Sequence, residues 1–132
     1  MAWRLDSTIT ERYMRLDQGS NVLATYIWID GTGVGLRGKT RTLSSYPGSP
    51  KDLPVWNFDG SSTGQAKGHD SDVYIAPVAI YRDPFVPGGS RENVLAMCAT
   101  YDKHGSPHPT NRRHTCNPVS YTHLTLPTNR EV

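Results

Sequence analysis

Apolar positions recur with two different periods along this chain, and the change of period marks out its elements. Ile9, Tyr13 and Leu16 recur at helical intervals, Thr8 and Glu11 have capping-box spacing, and Gly19 stops the run, so residues 8 to 18 are predicted to form a short helix. From Asn21 to Asp30 the pattern alternates and is rich in β-branched and aromatic residues (Val22, Tyr26, Ile27, Trp28, Ile29), which predicts a strand. Gly31-Thr-Gly-Val-Gly35 then turns the chain into a second strand, Leu36 to Leu43. Ser44 to Asp52, carrying Ser, Pro and Gly, reads as a loop, and Asn57 to Gly68 reads as another. A third strand follows from Asp72 to Tyr81, with Pro77 marking an edge or a bulge. Turns at Asp83-Pro84 and Pro87-Gly-Gly89 lead to a fourth strand, Asn93 to Tyr101, and the chain is turn-rich from Asp102 to Pro109. Several strands, one short helix and no repeated β-α alternation predict a small α+β domain on a mixed or antiparallel sheet.

The pattern stops at Asn117. The last sixteen residues, Asn117 to Val132, hold no sustained helical or strand period. They read as an unrelated, non-native tail of the translated-adapter kind, with a natural splice variant or divergent end as the alternative.

Composition narrows the class without naming a function. A chain of 132 residues forms one domain as a rule, and 36% hydrophobic with 20% charged residues describes a soluble globular one. A formal net charge of +2 gives no ground for nucleic-acid or membrane partners. No stretch approaches the roughly 20 apolar residues of a membrane span, and the amino terminus has no apolar signal core. Cys98 and Cys116 have neither metal-site spacing nor disulfide density, so they are expected as reduced thiols in a cytoplasmic protein.

The residues with most chemistry lie in Leu53-Pro-Val-Trp-Asn-Phe-Asp-Gly-Ser-Ser-Thr63. Asp59 stands before Gly60, which lets the backbone turn tightly, and two hydroxyls, Ser61 and Ser62, follow. On spacing alone this is an Asx or Ser/Thr turn, with Asp59 and Ser61 bonding nearby amides, or a loop that carries its side chains to a ligand.

Trp56-Asn-Phe-Asp-Gly-Ser-Ser-Thr63 closely resembles a signature of the amino-terminal domain of eukaryotic-type glutamine synthetases. The flanks agree in order: Tyr26-Ile-Trp-Ile-Asp-Gly-Thr-Gly33, Leu36-Arg-Gly-Lys-Thr-Arg-Thr-Leu43, Gly68-His-Asp-Ser-Asp-Val-Tyr-Ile75, Tyr81-Arg-Asp-Pro-Phe85 and Thr110-Asn-Arg-Arg-His114. The resemblance covers about residues 20–116. It implies an N-terminal helical segment (1–19), a β-grasp-like domain (20–108), the opening of a truncated catalytic domain (109–116) and the unrelated tail (117–132).

The same resemblance implies an ATP-dependent glutamate–ammonia ligase. In that family ATP phosphorylates the side-chain carboxylate of glutamate, and ammonia displaces phosphate from the acyl phosphate. Divalent metal, Mg or Mn, neutralises the phosphates and is held by a carboxy-terminal domain that has no counterpart here. The family further implies a homo-oligomeric ring in which this loop covers a neighbouring subunit's site. By that analogy Asp59 binds ammonium and assists its deprotonation, Ser62 belongs to the loop that closes the site, and Trp56, Asn57, Gly60 and Ser61 support it. A carboxylate near ~4 facing an amine-type cation near ~9 is mismatched by about five units, so Asp59 is expected as an attractor more than as a base. No metal or ATP site is expected in this stretch, and the chain alone is expected to be inactive.

Other features carry less. Gly31-Thr-Gly-Val-Gly35 lacks the Lys and the following helix of a phosphate loop and reads as a hairpin turn. Arg37, Lys39 and Arg41 share one strand face, read as a solvated edge with a subunit contact as the alternative. Trp28 and Trp56 read as packing residues. Two other functions compete with the ligase reading: a non-catalytic β-grasp-like interaction module, which would not need Asp59, and a small nucleotide-binding protein built on the glycine turn.

Overall fold

The computed structural model describes residues 6–86 and 92–118. Within them one short helix, α1 (Ser7–Met14), precedes five strands: β1 (Val22–Ile29), β2 (Leu36–Leu43), β3 (Trp56–Asp59), β4 (Asp72–Arg82) and β5 (Val94–Tyr101). Residues 112–118 are again helical.

The strands form one mixed sheet in the order β2-β1-β5-β4-β3. β1 and β5 pair in parallel at its centre, and every other neighbour is antiparallel. The α+β, β-grasp-like expectation therefore holds. Strict alternation in β1 buries Val22, Ala24, Tyr26 and Trp28. Val94, Ala96 and Cys98 of β5, Val73 and Ile75 of β4 and Phe58 of β3 complete the same core. The sheet curls until its two edges meet. Trp28 of β1 stacks on Phe58 of β3 with centroids 4.2 Å apart, and Tyr26 meets Trp56 edge-on at 5.4 Å. Both contacts cross the concave side between strands that are not neighbours in the sheet.

Several expected boundaries move. Helix α1 is shorter than the predicted 8–18 run and is capped by Asp6, whose carboxylate accepts from the amide and hydroxyl of Thr8. None of its residues is buried, so nothing prolongs it through Leu16. The segment predicted as a loop from Asn57 contains β3, because Trp56 to Asp59 pair antiparallel with Ile75 to Asp72. Pro77 does mark an irregularity, with the β4–β5 register shifting between Pro77 and Ala79. The fourth predicted strand starts at Val94, since Asn93 is a buried tie: its side chain accepts from Gln18 and the Leu23 amide and donates to the carbonyl of Val86.

The Arg37, Lys39 and Arg41 face is corrected too. β2 is an edge strand, but Lys39 and Arg41 reach inward over Trp56, Lys39 Nζ lying 3.6 Å from the ring centroid and Arg41 Cζ 5.1 Å. Lys39 also donates to the Asn57 carbonyl at 2.9 Å. Lys39 and Arg41 are thus half-buried over the open side of the core, while Arg37 stays exposed and pairs with Asp30. The turn Pro87-Gly-Gly89 and all of the tail beyond residue 118 lie outside the described residues.

Candidate functional site

The backbone around Asp59 is fixed before any ligand is considered. β3 delivers the chain to Asp59, which caps a 3-10 turn, Gly60–Thr63, that ends at Gly64 in the left-handed conformation, φ 70°. Gly60 is required by crowding, since a Cβ there would lie 2.5 Å from a methyl of Val73 and 3.0 Å from Ala66. Its amide donates to Ser71 and its carbonyl accepts from Gln65 and Ala66.

The Asp59 side chain is exposed, and its Oδ1 accepts from the Ser61 amide at 2.9 Å and the Ser61 hydroxyl at 2.6 Å. The Ser61 hydroxyl first, then the Ser71 hydroxyl and the Ser61 amide, hold this carboxyl below the usual carboxylate range. The Asx turn read from spacing is thus present. Ser62 does not touch the carboxylate; its hydroxyl donates to the backbone carbonyl of Asp59 at 2.9 Å. Asn57 Nδ2 donates to Asp72 across the β3–β4 pair, and Trp56 is held between Tyr26 and the two cations of β2.

Two further elements grip the loop from behind. The β1–β2 hairpin docks on it, with the Gly31 amide donating to Thr63 at 2.7 Å; a Cβ on Gly31 would sit 2.3 Å from the Gly64 carbonyl oxygen. Asp30, buried at the foot of that hairpin, accepts from the hydroxyl and amide of Thr32 and from Arg37. Those bonds, the Thr32 hydroxyl first, hold the Asp30 carboxyl below its ordinary value. The folded value is therefore the lower one. Its stabilisation is complete above the unfolded value of ~4 and is lost as pH falls through the folded value. We expect a melting temperature that is steady from pH 7 to about 5 and then declines, with a shallower decline for Asp30→Asn. Thermal melts in matched buffers check this, and parallel acid profiles for the two chains would remove Asp30 from the account.

The second grip was missed by sequence reasoning. Gln65 is buried; its Nε2 donates to the Ile29 carbonyl and to Thr110, and its Oε1 accepts from Thr63. His108 Nε2 lies 2.8 Å from the Gln65 carbonyl while its Nδ1 accepts from the Thr110 amide, so the ring is the Nε2–H tautomer. The ties that join them to other elements span 36 to 45 residues, so no local signal marks them.

No group of three or more His, Cys, Asp or Glu placed to hold a metal ion occurs among the described residues. A cleft of about 410 Å³ opens between β5 and residues 110–117, lined by Ile29, Met97, Cys98, Arg112 and Cys116 among others, but not by Asp59, Ser61 or Ser62. Burial pushes the Cys98 thiol up to about 12, so it is no nucleophile there. No helix among the described residues is long and apolar enough to cross a membrane.

Comparison with known proteins follows the same outline. The chain is 54% identical over 118 residues to "Glutamine synthetase 2 cytoplasmic" of Drosophila melanogaster, covering 89% of this chain and 31% of that protein. It is 54% identical over 112 residues to the glutamine synthetase of Emericella nidulans, covering 85% of this chain and 30% of that one. Against the human glutamine synthetase it is 50% identical over 115 residues, 87% and 30% of the two chains. The fold is similar to that of a Plasmodium falciparum glutamine synthetase solved by cryo-electron microscopy, with a TM-score of 0.51 and 16% identity over 90% of this chain and 23% of that one. No family model matches the chain. It spans about 30% of the length of the curated relatives it matches.

Proposed function

We propose that the chain is the amino-terminal part of a glutamine synthetase, an ATP-dependent glutamate–ammonia ligase, on the strength of its 50–54% identity to relatives of that name. One observation carries the reading of its site: Asp59 presents an exposed carboxylate, oriented by the Ser61 amide and hydroxyl, at the tip of a loop whose Gly60 backbone is tied to Ser71, Gln65 and Ala66. A carboxylate so held is a weak base and a strong attractor for a cation. Asp59 attracts and orients ammonium; once one proton has passed to water, the ammonia attacks the activated carboxyl and phosphate leaves. Ser61 sets the direction of the carboxylate, Ser62 and Gly60 set the turn, and Trp56 and Asn57 set the strand that leads to it. The loop acts on a neighbouring subunit of a homo-oligomeric ring, in the cytoplasm, with glutamate, ammonium and ATP as substrates and Mg or Mn as the metal. Residues 20–108 form the domain that carries it, and 109–116 open the catalytic part. The interaction-module alternative is not favoured, because the relatives quoted are named for the enzyme.

The described residues hold no cluster of metal ligands, so no step through the metal is assigned to them. Because it spans only about 30% of its relatives' length, the 132-residue chain is expected to form no glutamine. Purified chain incubated with glutamate, ATP, ammonium and magnesium is the check, and ammonium-dependent turnover above a boiled control would contradict it. The role of Asp59 is tested by the ammonium dependence of an Asp59→Asn enzyme.

A further inference from the structure

We propose that Gln65 is a positioning residue that latches the Asp59 loop to both the β1–β2 hairpin and the 108–111 turn. The inference rests on the reading of Asp59 as the ammonium attractor. The loop has two roots. One is β3, held by ladder bonds to β4 and by Lys39 at the Asn57 carbonyl. The other is the stretch after the 3-10 turn, and there the ties converge on one side chain.

Gln65 uses both ends of its amide on different segments: Nε2 on Ile29 at 3.2 Å and Thr110 at 3.3 Å, Oε1 on the Thr63 hydroxyl at 2.9 Å. Its backbone is used as well, the amide bonding Gly60 at 2.8 Å and the carbonyl taking the His108 Nε2–H at 2.8 Å. Three stretches distant in sequence are thereby joined at one buried residue. The Gly60 carbonyl it holds belongs to the residue directly after Asp59, so a shift at Gln65 is transmitted to the carboxylate through a single 3-10 turn. An apolar side chain of similar size fills the space and keeps the backbone bonds, but it loses the side-chain ties to Ile29, Thr110 and Thr63, leaving the Thr63 hydroxyl only its bond to the Gly60 carbonyl at 3.2 Å.

Amide exchange on the 132-residue chain reads the latch directly. In Gln65→Leu the amides of Gly31, Gly60 and Ala66 are expected to exchange about tenfold faster or more, while Tyr26 and Ala96 in the sheet stay within about twofold. His108→Ala removes the tie to the Gln65 carbonyl and the ring's bonds to Thr110, from a half-buried side chain, and is expected to show the same pattern at about threefold. Unchanged loop amides in both variants, or acceleration spread equally over β1 and β5, would overturn the latch. In a full-length enzyme carrying this amino-terminal part, Gln65→Leu is expected to raise the KM for ammonium about tenfold with kcat within about twofold, because position and not chemistry is lost. A loosened loop with unchanged ammonium KM, in an enzyme that Asp59→Asn does impair, would also overturn the proposal. If Asp59→Asn itself leaves ammonium use intact, the ammonium reading falls and the positioning claim falls with it, while the exchange data show only that the latch exists.

Discussion

An Asp59→Asn enzyme is expected to lose on the order of 10²-fold in kcat/KM for ammonium, the scale of removing one preorganised electrostatic partner from a reacting centre. The substitution keeps the shape and leaves an amide oxygen for the Ser61 amide and hydroxyl, so the turn should survive. Only the charge goes. Since the Ser61 and Ser71 hydroxyls hold the Asp59 carboxyl below its usual range, the wild-type charge is complete at neutral pH and nothing near pH 7 restores or removes it. The defect should therefore be flat across the neutral range. Ser61→Ala removes a direct donor to the carboxylate and should raise its titration toward the ordinary carboxylate value. Ser62→Ala removes a bond to the Asp59 carbonyl worth about 1 kcal/mol and should be milder. Steady-state kinetics with ammonium varied at saturating glutamate and ATP separate these cases. Normal ammonium dependence with impaired ATP affinity would assign the loop to the wrong substrate.

What the sequence made legible was what is local. Alternation and β-branched content from Asn21 to Asp30 were enough to read β1 as a strand, though not to choose its buried face, and the second strand was read with the bounds it has. The turn at Asp59 was readable because its bonds run from residue i to i+2. β3 was not, because four residues between Pro54 and Gly60 with only Phe58 buried have no period of their own. They are a strand only because β4 lies beside them. The inward turn of Lys39 and Arg41 was hidden for a similar reason. Alternation shows that they share a face, but which face is covered depends on the sheet curling until β3 comes opposite β2. Gln65 and His108 are the extreme case, polar residues in loop sequence whose partners come from other parts of the chain.

Trp28→Ala is expected to destabilise the chain by about 3–5 kcal/mol, a large share of the roughly 5–15 kcal/mol available to a domain of this size. Trp28 is 4% exposed and stacks on Phe58 at 4.2 Å. Truncation leaves a cavity between β1 and β3, two strands that no ladder bond joins, so nothing on that side can close over it without straightening the curl. Trp28→Phe separates packing from polarity. The indole Nε1 has no hydrogen-bond partner among the described residues, so its removal strands no acceptor and takes away a buried, unsatisfied donor. The phenyl ring keeps the stack, and the cost should fall to about 1–2 kcal/mol of lost area. Because Phe58 stands next to Asp59 on β3, the alanine variant should also loosen the loop at its first root, whereas the phenylalanine variant should not. Urea unfolding of the three chains decides the matter, with midpoints shifting in this order at constant slope. Equal losses for Ala and Phe would mean that a phenyl ring cannot keep the contact and that the full indole is needed to fill the space between β1 and β3.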